Sequence, residues 1–429
     1  MIRGQYLDTL WATGFNNYGE LGISTADQTP KTQSNIFQPI LSDVKFAAGG
    51  YYRTNVVKKD GSVWGAGYNL YGQIGDGTKV GKKEKFAKSN IESGAVYVSA
   101  GYHHTAVLKD DGSLWATGHN TFGSVGDGTN VHKTSFVKVI DGFVADVDAG
   151  RHHTMVIKTD GSLWATGYNN QGQLGDGTVT NRNKYVQVID GLVMDVSAGG
   201  ADFTIALMSD GSVMGVGLNS NGQLGDGTVT RRLRFVEVLS SGSGVKAVAT
   251  GVQHTQLLKT DGSVWAAGLN NYGQLGDGTK TQRNKYVKVV DGGVKEVRAG
   301  QYFSVLLNDK HELCVTGYNN HGMLGTGDKT NVVGFDKKCY PRPGPCYANN
   351  GGCHSKRTCI NNKGSVSCGD CPAPLTNDGP KGCKGVYVCP GVGELLYGVC
   401  WCRESFVLVT SVSTMTLFTH SLTHSLAWR

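Results

Sequence analysis

Apolar and polar positions alternate in short bursts along this chain and never settle into a helical period. Thr154-Met155-Val156-Ile157 is a short β-prone run, and the turn pair Asp160-Gly161 follows it. Ser162-Leu163-Trp164-Ala165-Thr166 then alternates, so the two runs predict a hairpin. Tyr185-Val186-Gln187-Val188 reads as a third strand. Val193-Met194-Asp195-Val196, leading into Ala198-Gly199, reads as a fourth. Four strands of 4–6 residues in about 50, with no helix between them, fit one blade of a β-propeller.

The unit repeats. Tyr71–Thr78 reads YGQIGDGT, and matching segments begin at Phe122, Gln171, Asn221 and Tyr272. Weaker copies begin at Tyr18 and His321. An Asn stands three residues before the first Gly of each copy, at 16, 69, 120, 169, 219, 270 and 319, with spacings of 53, 51, 49, 50, 51 and 49. A fixed period of that size means a solenoid, a propeller or an array. It also accounts for 63 glycines in 429 residues, since every blade needs Asp-Gly turns and close strand approach. A strand Trp recurs at 11, 64, 115, 164 and 265, with Met214 and Val315 read as its replacements. An inter-blade packing site explains that position.

The recurrent A-G-x-x-H-T, D-G-S-L-W-A-T-G-x-N and G-Q-L-G-D-G-T segments, over about residues 8–330, resemble the regulator of chromosome condensation repeat family. One departure recurs. Where that family often has Pro after the basic loop, this chain has Phe86, Phe136, Tyr185, Phe235 and Tyr286. The resemblance implies an all-β, seven-bladed β-propeller closed by strands from both chain ends. The chain starts at about the seventh inner hairpin strand, so one blade is expected to be incomplete. A missing half-blade and the missing apolar leader at Met1–Tyr6 would both follow from one N-terminal truncation.

Cysteine divides the chain. Residues 1–338 hold one of the eleven, Cys314, which reads as a small core residue. The remainder holds ten, and net charge splits as +3 before Cys339 and +4 from there on. The spacing Cys346-x6-Cys353-x5-Cys359-x8-Cys368-x2-Cys371-x11-Cys383 resembles an epidermal growth factor-like module, too small for a core without covalent links. The resemblance implies Cys346–Cys359, Cys353–Cys368 and Cys371–Cys383, one of fifteen connectivities open to six cysteines. Zinc at Cys368-x2-Cys371 is the alternative. Calcium is disfavoured because Pro341-Arg342-Pro343-Gly344-Pro345, without acids, precedes the first cysteine of the module. Cys339, Cys389, Cys400 and Cys402 are left unassigned. The expected organisation is a propeller over 1–338, the small disulfide-rich module over 339–385, and a tail over 386–429. Thr-His-Ser-Leu repeats at 419 and 423, so the tail is expected to be poorly ordered or read-through of a nucleotide repeat.

Candidate chemistry is sparse. Asp76, Asp127, Asp176, Asp226 and Asp277 lie in Gly-Asp-Gly-Thr loops, where turn geometry explains them better than a calcium loop. His104, His153 and His254 recur before Thr and read as hydrogen-bonded structural residues rather than metal ligands. Basic residues recur after the Gly-Asp-Gly-Thr loops: Lys82 and Lys83; Lys133; Arg182 and Lys184; Arg231, Arg232 and Arg234; Arg283 and Lys285. They could form an arc for an acidic partner, or simply pair with the five Asp. No nucleophile elbow, zincin or Walker motif occurs, so no catalytic residue, metal or cofactor is expected.

The resulting expectation is a monomeric, non-enzymatic scaffold that binds a protein partner, without nucleic acid or a membrane span, in an extracellular or secretory setting with cytoplasm as the alternative. The alternative function, implied by the resemblance, is guanine nucleotide exchange on a small GTPase. Repeat spacings of 49–53 leave little room for a large wedge within one blade.

Overall fold

The computed structural model describes residues 9–23, 33–336, 339–341, 359–362, 365–368, 407–410 and 414–418. Among them the chain is an all-β propeller, and no helix is long and apolar enough to cross a membrane. Six four-stranded antiparallel sheets follow one another along the chain, over 44–88, 95–140, 144–189, 193–239, 245–290 and 294–341. In the third, Val144–Ala149 is the innermost strand, followed outwards by His153–Lys158, Leu163–Gly167 and Arg182–Ile189. The hairpin expected around Asp160-Gly161 is present, with Val156 opposite Trp164.

A further four-stranded sheet orders Gln33–Ser42, Thr9–Phe15, Thr414–Phe418 and Val407–Thr410. Its first two strands stand between the sixth and first sheets. Trp11 and Phe37 pack with Phe303, Val305 and Val315. Gly327 N donates to Asn35 O at 2.8 Å, and Thr54 Oγ1 donates to Glu20 O at 2.8 Å. The two inner strand positions of this sheet are taken by Thr414–Phe418 and Val407–Thr410, from the segment 386–429.

Apolar side chains interlock between neighbouring sheets. Phe203, Ile205 and Leu207 of the fourth sheet pack with Val245, Val248 and Leu257 of the fifth. Burying each such side chain contributes about 1.5–3 kcal/mol, so the interfaces between sheets are the core of the ring.

Trp11 is buried, but the recurrent Trp of the other copies is half-buried rather than sealed in that core. Lys58, Lys109, Lys158 and Lys259 hold Nζ 4.7, 5.5, 3.8 and 4.6 Å from the rings of Trp64, Trp115, Trp164 and Trp265. In the sixth sheet the register corrects the alignment. Cys314, opposite Leu306, occupies the Trp place, and Val315 is its neighbour. Cys314 is therefore not merely a small core residue, because it forms a disulfide with Cys339. Cys339–Pro341 is a three-residue outer strand where the second to fifth sheets have eight residues. The covalent bond ties down a strand with little pairing of its own.

Cys359–Asn362 and Ser365–Cys368 form a two-stranded hairpin with Cys359 opposite Cys368. The pairing inferred for Cys346, Cys353, Cys359, Cys368, Cys371 and Cys383 lies outside the described side chains.

Candidate functional site

The repeated motif A-G-x-x-H-T is a lock between blades. The His153 ring lies against Gly150, where any Cβ would collide with it. His153 Nε2 meets Thr204 Oγ1 of the next sheet at 3.1 Å, and His104 and His254 meet Thr154 and Ser304 in the same way at 2.9 Å. Each of those hydroxyls gives its only proton to a backbone carbonyl of the preceding sheet, at Gln173, Ser124 and Gln274. The hydroxyl must therefore accept, and the imidazole donates from Nε2 as the neutral tautomer. Burial pushes His153 down to about 4 and His254 to about 3, consistent with that tautomer. Arg53, Phe203 and Phe303 fill the same place in the other three sheets. Burial lowers Arg53 only to about 9, and four hydrogen bonds hold its charged head. A ring site that accepts Arg or Phe is structural, as the sequence suggested.

The Gly-Asp-Gly-Thr loops are likewise internal clamps. Asp176 Oδ1 accepts from Thr178 N, Thr178 Oγ1 and Asn169 Nδ2, while its Oδ2 pairs with Arg182 at 2.6 Å. Asp76, Asp127, Asp226 and Asp277 pair with Lys83, Lys133, Arg232 and Arg283 at 2.6–2.8 Å. The inferred basic arc thus divides in two. One cation after each loop neutralises that loop's own Asp. Of the others, Lys82 pairs with Glu84 at 2.6 Å, whereas Lys184, Arg231, Arg234 and Lys285 are exposed and carry no ion pair among the described residues. Lys79 and Lys280, on the same loops, also carry none. Val80, Val131, Val179 and Val229 stand exposed beside them.

What the sequence reading missed lies inside this rim. Three positions per repeat converge there: the residue before His-Thr, the residue between Gly and Asn, and the residue before Gly-Gln-Leu-Gly. In most copies they are Tyr, His or Phe. The rings form one continuous arc. From Tyr272 it runs through Tyr318, His321 and Phe15 to Tyr52, with centroids 4.9, 6.2, 5.1 and 5.4 Å apart. Tyr51 joins Tyr52 at 4.0 Å and stacks on Tyr102 at 5.1 Å. His119 continues the arc, with Tyr71, His132, His152 and Phe122 at 4.8, 4.8, 5.4 and 5.8 Å, and Tyr168 ends it 4.8 Å beyond Phe122. The arc is broken at the fourth and fifth sheets, where Asp202, Leu218, Asn221, Gln253 and Leu269 take these positions. Arg151 reaches Asp202 at 3.8 Å across one end of the gap.

These rings are half-buried and hold almost no charge. Burial pushes His103 and His152 down to about 3 and His119 to about 4. Beneath them, Gln73, Gln173, Gln223 and Gln274 each accept from the backbone amide two residues earlier. Glu20 takes that role in the N-terminal copy, and burial raises it to about 7. The result is a neutral aromatic floor inside a cationic and apolar rim.

The innermost strands bring acids to the axis. Asp148 accepts from Ser99 Oγ, Ala149 N and Ala198 N at 2.8–3.1 Å, bridging three sheets. Asp146 accepts from Val147 N at 2.8 Å. It is half-buried on the innermost strand, and desolvation within the ring with repulsion from Asp195 raises it to about 8.

Comparison with known proteins places this architecture. The RCC1-like domain profile matches residues 9–355. The Arabidopsis thaliana ultraviolet-B receptor UVR8 is 27% identical over 148 residues, 34% of this chain and 33% of the receptor. The mouse regulator of chromosome condensation is 32% identical over 116 residues, 26% of this chain and 27% of that protein. The chain thus spans about a third or less of these curated relatives. Human WBSCR16 superposes with a TM-score of 0.72 at 20% identity, over 96% of this chain and all of that one. Yeast RCC1 (Prp20), bound to Kap60, superposes with 0.71 at 16% identity, over 97% and 90%. With the family profile spanning most of its length and the repeats folded into a ring of sheets, the chain belongs to the RCC1-like domain family.

Proposed function

We propose that this protein is a non-enzymatic, protein-binding scaffold whose ring counts seven blades, the seventh assembled from both chain ends. The loop face bearing the aromatic arc is its recognition surface. The observation that carries this reading is the arc itself, in which rings from six of the repeats present one half-buried platform at contact spacing. Aromatic anchors surrounded by cations are the residue types that dominate protein interfaces. Prp20p from Saccharomyces cerevisiae, which shares this fold, has binding properties to Gsp1p and histones, which agrees with a scaffold reading.

The extracellular or secretory setting is part of the proposal and is supported by the Cys314–Cys339 bond, because such bonds persist in oxidising compartments. The structure moves the expected boundary, because Cys339–Pro341 belongs to the sixth sheet; a disulfide-stapled module running from there to about 385 extends the ring as a spacer or second contact.

Two experiments test the reading. Purified full chain and a Tyr71→Ala/Tyr168→Ala variant are used as baits against secreted and cytosolic fractions. Wild type is expected to retain a discrete protein that the variant loses, with partial weakening between 50 and 200 mM salt from the rim. Nucleotide release from a panel of small GTPases is measured in parallel. Acceleration by wild type would overturn the scaffold assignment in favour of nucleotide exchange.

A further inference from the structure

The face opposite the aromatic arc carries a second surface, confined to one sector. Each of the six consecutive sheets is entered through a residue with left-handed backbone: Asp43, Gly94, Phe143, Leu192, Gly244 and Gly293, with φ of 58, 77, 62, 66, 74 and 74°. The geometry is imposed at every junction. The carbonyls of these residues accept from Lys59, Asp110, Thr159, Ser209, Thr260 and Asp309 N at 2.7–2.9 Å. At four junctions the following amides, Ala95, Val144, Val193 and Val294 N, also donate to Gly61, Gly112, Gly161 and Gly262 O at 3.0–3.1 Å. Four junctions use Gly or Asp, the residues that tolerate this backbone. Two adjacent ones use Phe and Leu, for which it is a genuine outlier.

Neither side chain gains burial in return, since Phe143 is 78% and Leu192 69% exposed. The position two residues on repeats the contrast. It is Lys45, Lys246 and Lys295 at three of the other junctions and the half-buried Val96 at the fourth, but Ala145 and Met194 here, with Met194 64% exposed. Strain combined with exposure, at neighbouring places and nowhere else among these junctions, has no folding rationale.

The surroundings set the partner's charge. Asp111, Asp141, Asp160, Asp190 and Asp210 are all exposed on the turns that border Phe143 and Leu192. The nearby cations are engaged: Lys138 pairs with Asp141 at 3.0 Å, and Lys109 and Lys158 lie over Trp115 and Trp164. We propose that Phe143, Leu192 and Met194 form a docking patch for a basic segment of a partner protein, its apolar side chains on the three residues and its Lys or Arg on the Asp border. This surface is independent of the loop face, so either proposal can fail alone.

The probe is a fluorescent peptide of alternating Lys and Leu, compared with a Lys-only peptide and a Glu-Leu peptide of equal length. The full chain is expected to prefer the Lys-Leu peptide over both controls. A Phe143→Asp/Leu192→Gly variant, built from the residues other junctions already use, should bind it at least tenfold more weakly without a lower melting temperature. Asp141→Lys/Asp190→Lys should weaken it as well, whereas Tyr71→Ala/Tyr168→Ala should not. Undiminished binding by the first variant, or loss of binding in the loop-face variant, overturns the proposal. So does concentration-dependent self-association of wild type in sedimentation that the first variant abolishes, because the occupant is then a second copy.

Discussion

Replacing Cys339 by Ser tests how the sixth sheet keeps its outer strand. Cys339–Pro341 contributes three residues of pairing to Glu312–Gly317, and the bond to Cys314 spans 25 residues. Closing a loop of that length in the unfolded chain removes entropy equivalent to about 3.5 kcal/mol at 25 °C. Spread over the unfolding entropy of residues 9–341, at about 2.1 cal/mol/K per residue, this lowers the melting temperature by about 5 °C. The variant is preferable to a reductant, which is not selective for this bond. Ser at the exposed Cys339 leaves Cys314 as a buried thiol, 4% exposed. Urea denaturation of the full chain should show the lower midpoint, and hydrogen exchange should show amides of Glu312–Gly317 opening first. An unchanged midpoint together with unchanged exchange there would refute the reasoning, since the strand would then be held by contacts other than the bond.

Three further outcomes follow from the geometry. Asn169→Ala removes the amide that donates to Asp176 and Thr178 and the oxygen that accepts from Leu174 N, and should cost about 2–3 kcal/mol in denaturant titration, with Leu174 N left unpaired. His153→Ala should cost about 2–4 kcal/mol through cavity and lost hydrogen bond, whereas His153→Phe should recover most of that, because Phe203 and Phe303 already occupy the equivalent site. Asp146 keeps its proton in the native ring up to about pH 8 but loses it near pH 4 when unfolded. The native state therefore binds more protons across that window, and this residue's contribution to stability falls as pH rises through it. Asp146→Asn should match wild type at pH 4 and become progressively more stable than wild type up to pH 8, as read by melting temperature at fixed ionic strength. A constant difference across that range would show that the carboxyl ionises freely in the native channel.

Local chemistry was legible in the repeats because it is local. Asp160-Gly161 makes its turn, the Gly-Asp-Gly-Thr loops clamp themselves, and His153 finds a hydroxyl, all by contacts whose residue types recur at fixed offsets. The five Asp also captured one cation each within a few residues, which is why the basic arc proved half internal. Cys314 was misplaced by one position because alignment at the Trp site carries no information about pairing. Only the register opposite Leu306 fixes it.

The sequence by itself determined that short strands in a period of about 50 residues must stack as blades, since each blade leaves an apolar flank that a neighbour has to cover. It did not determine what stands side by side across the ring. Tyr51 and Tyr102, 51 positions apart, stack, and Phe15 meets His321. Thr9–Phe15 pairs with Thr414–Phe418 although some four hundred positions separate them. Such juxtapositions depend on closure, which sums small rotations between blades until the two ends meet. No local pattern encodes that sum, so the aromatic floor, the strained apolar sector and the outer-strand disulfide belong to the tertiary structure alone.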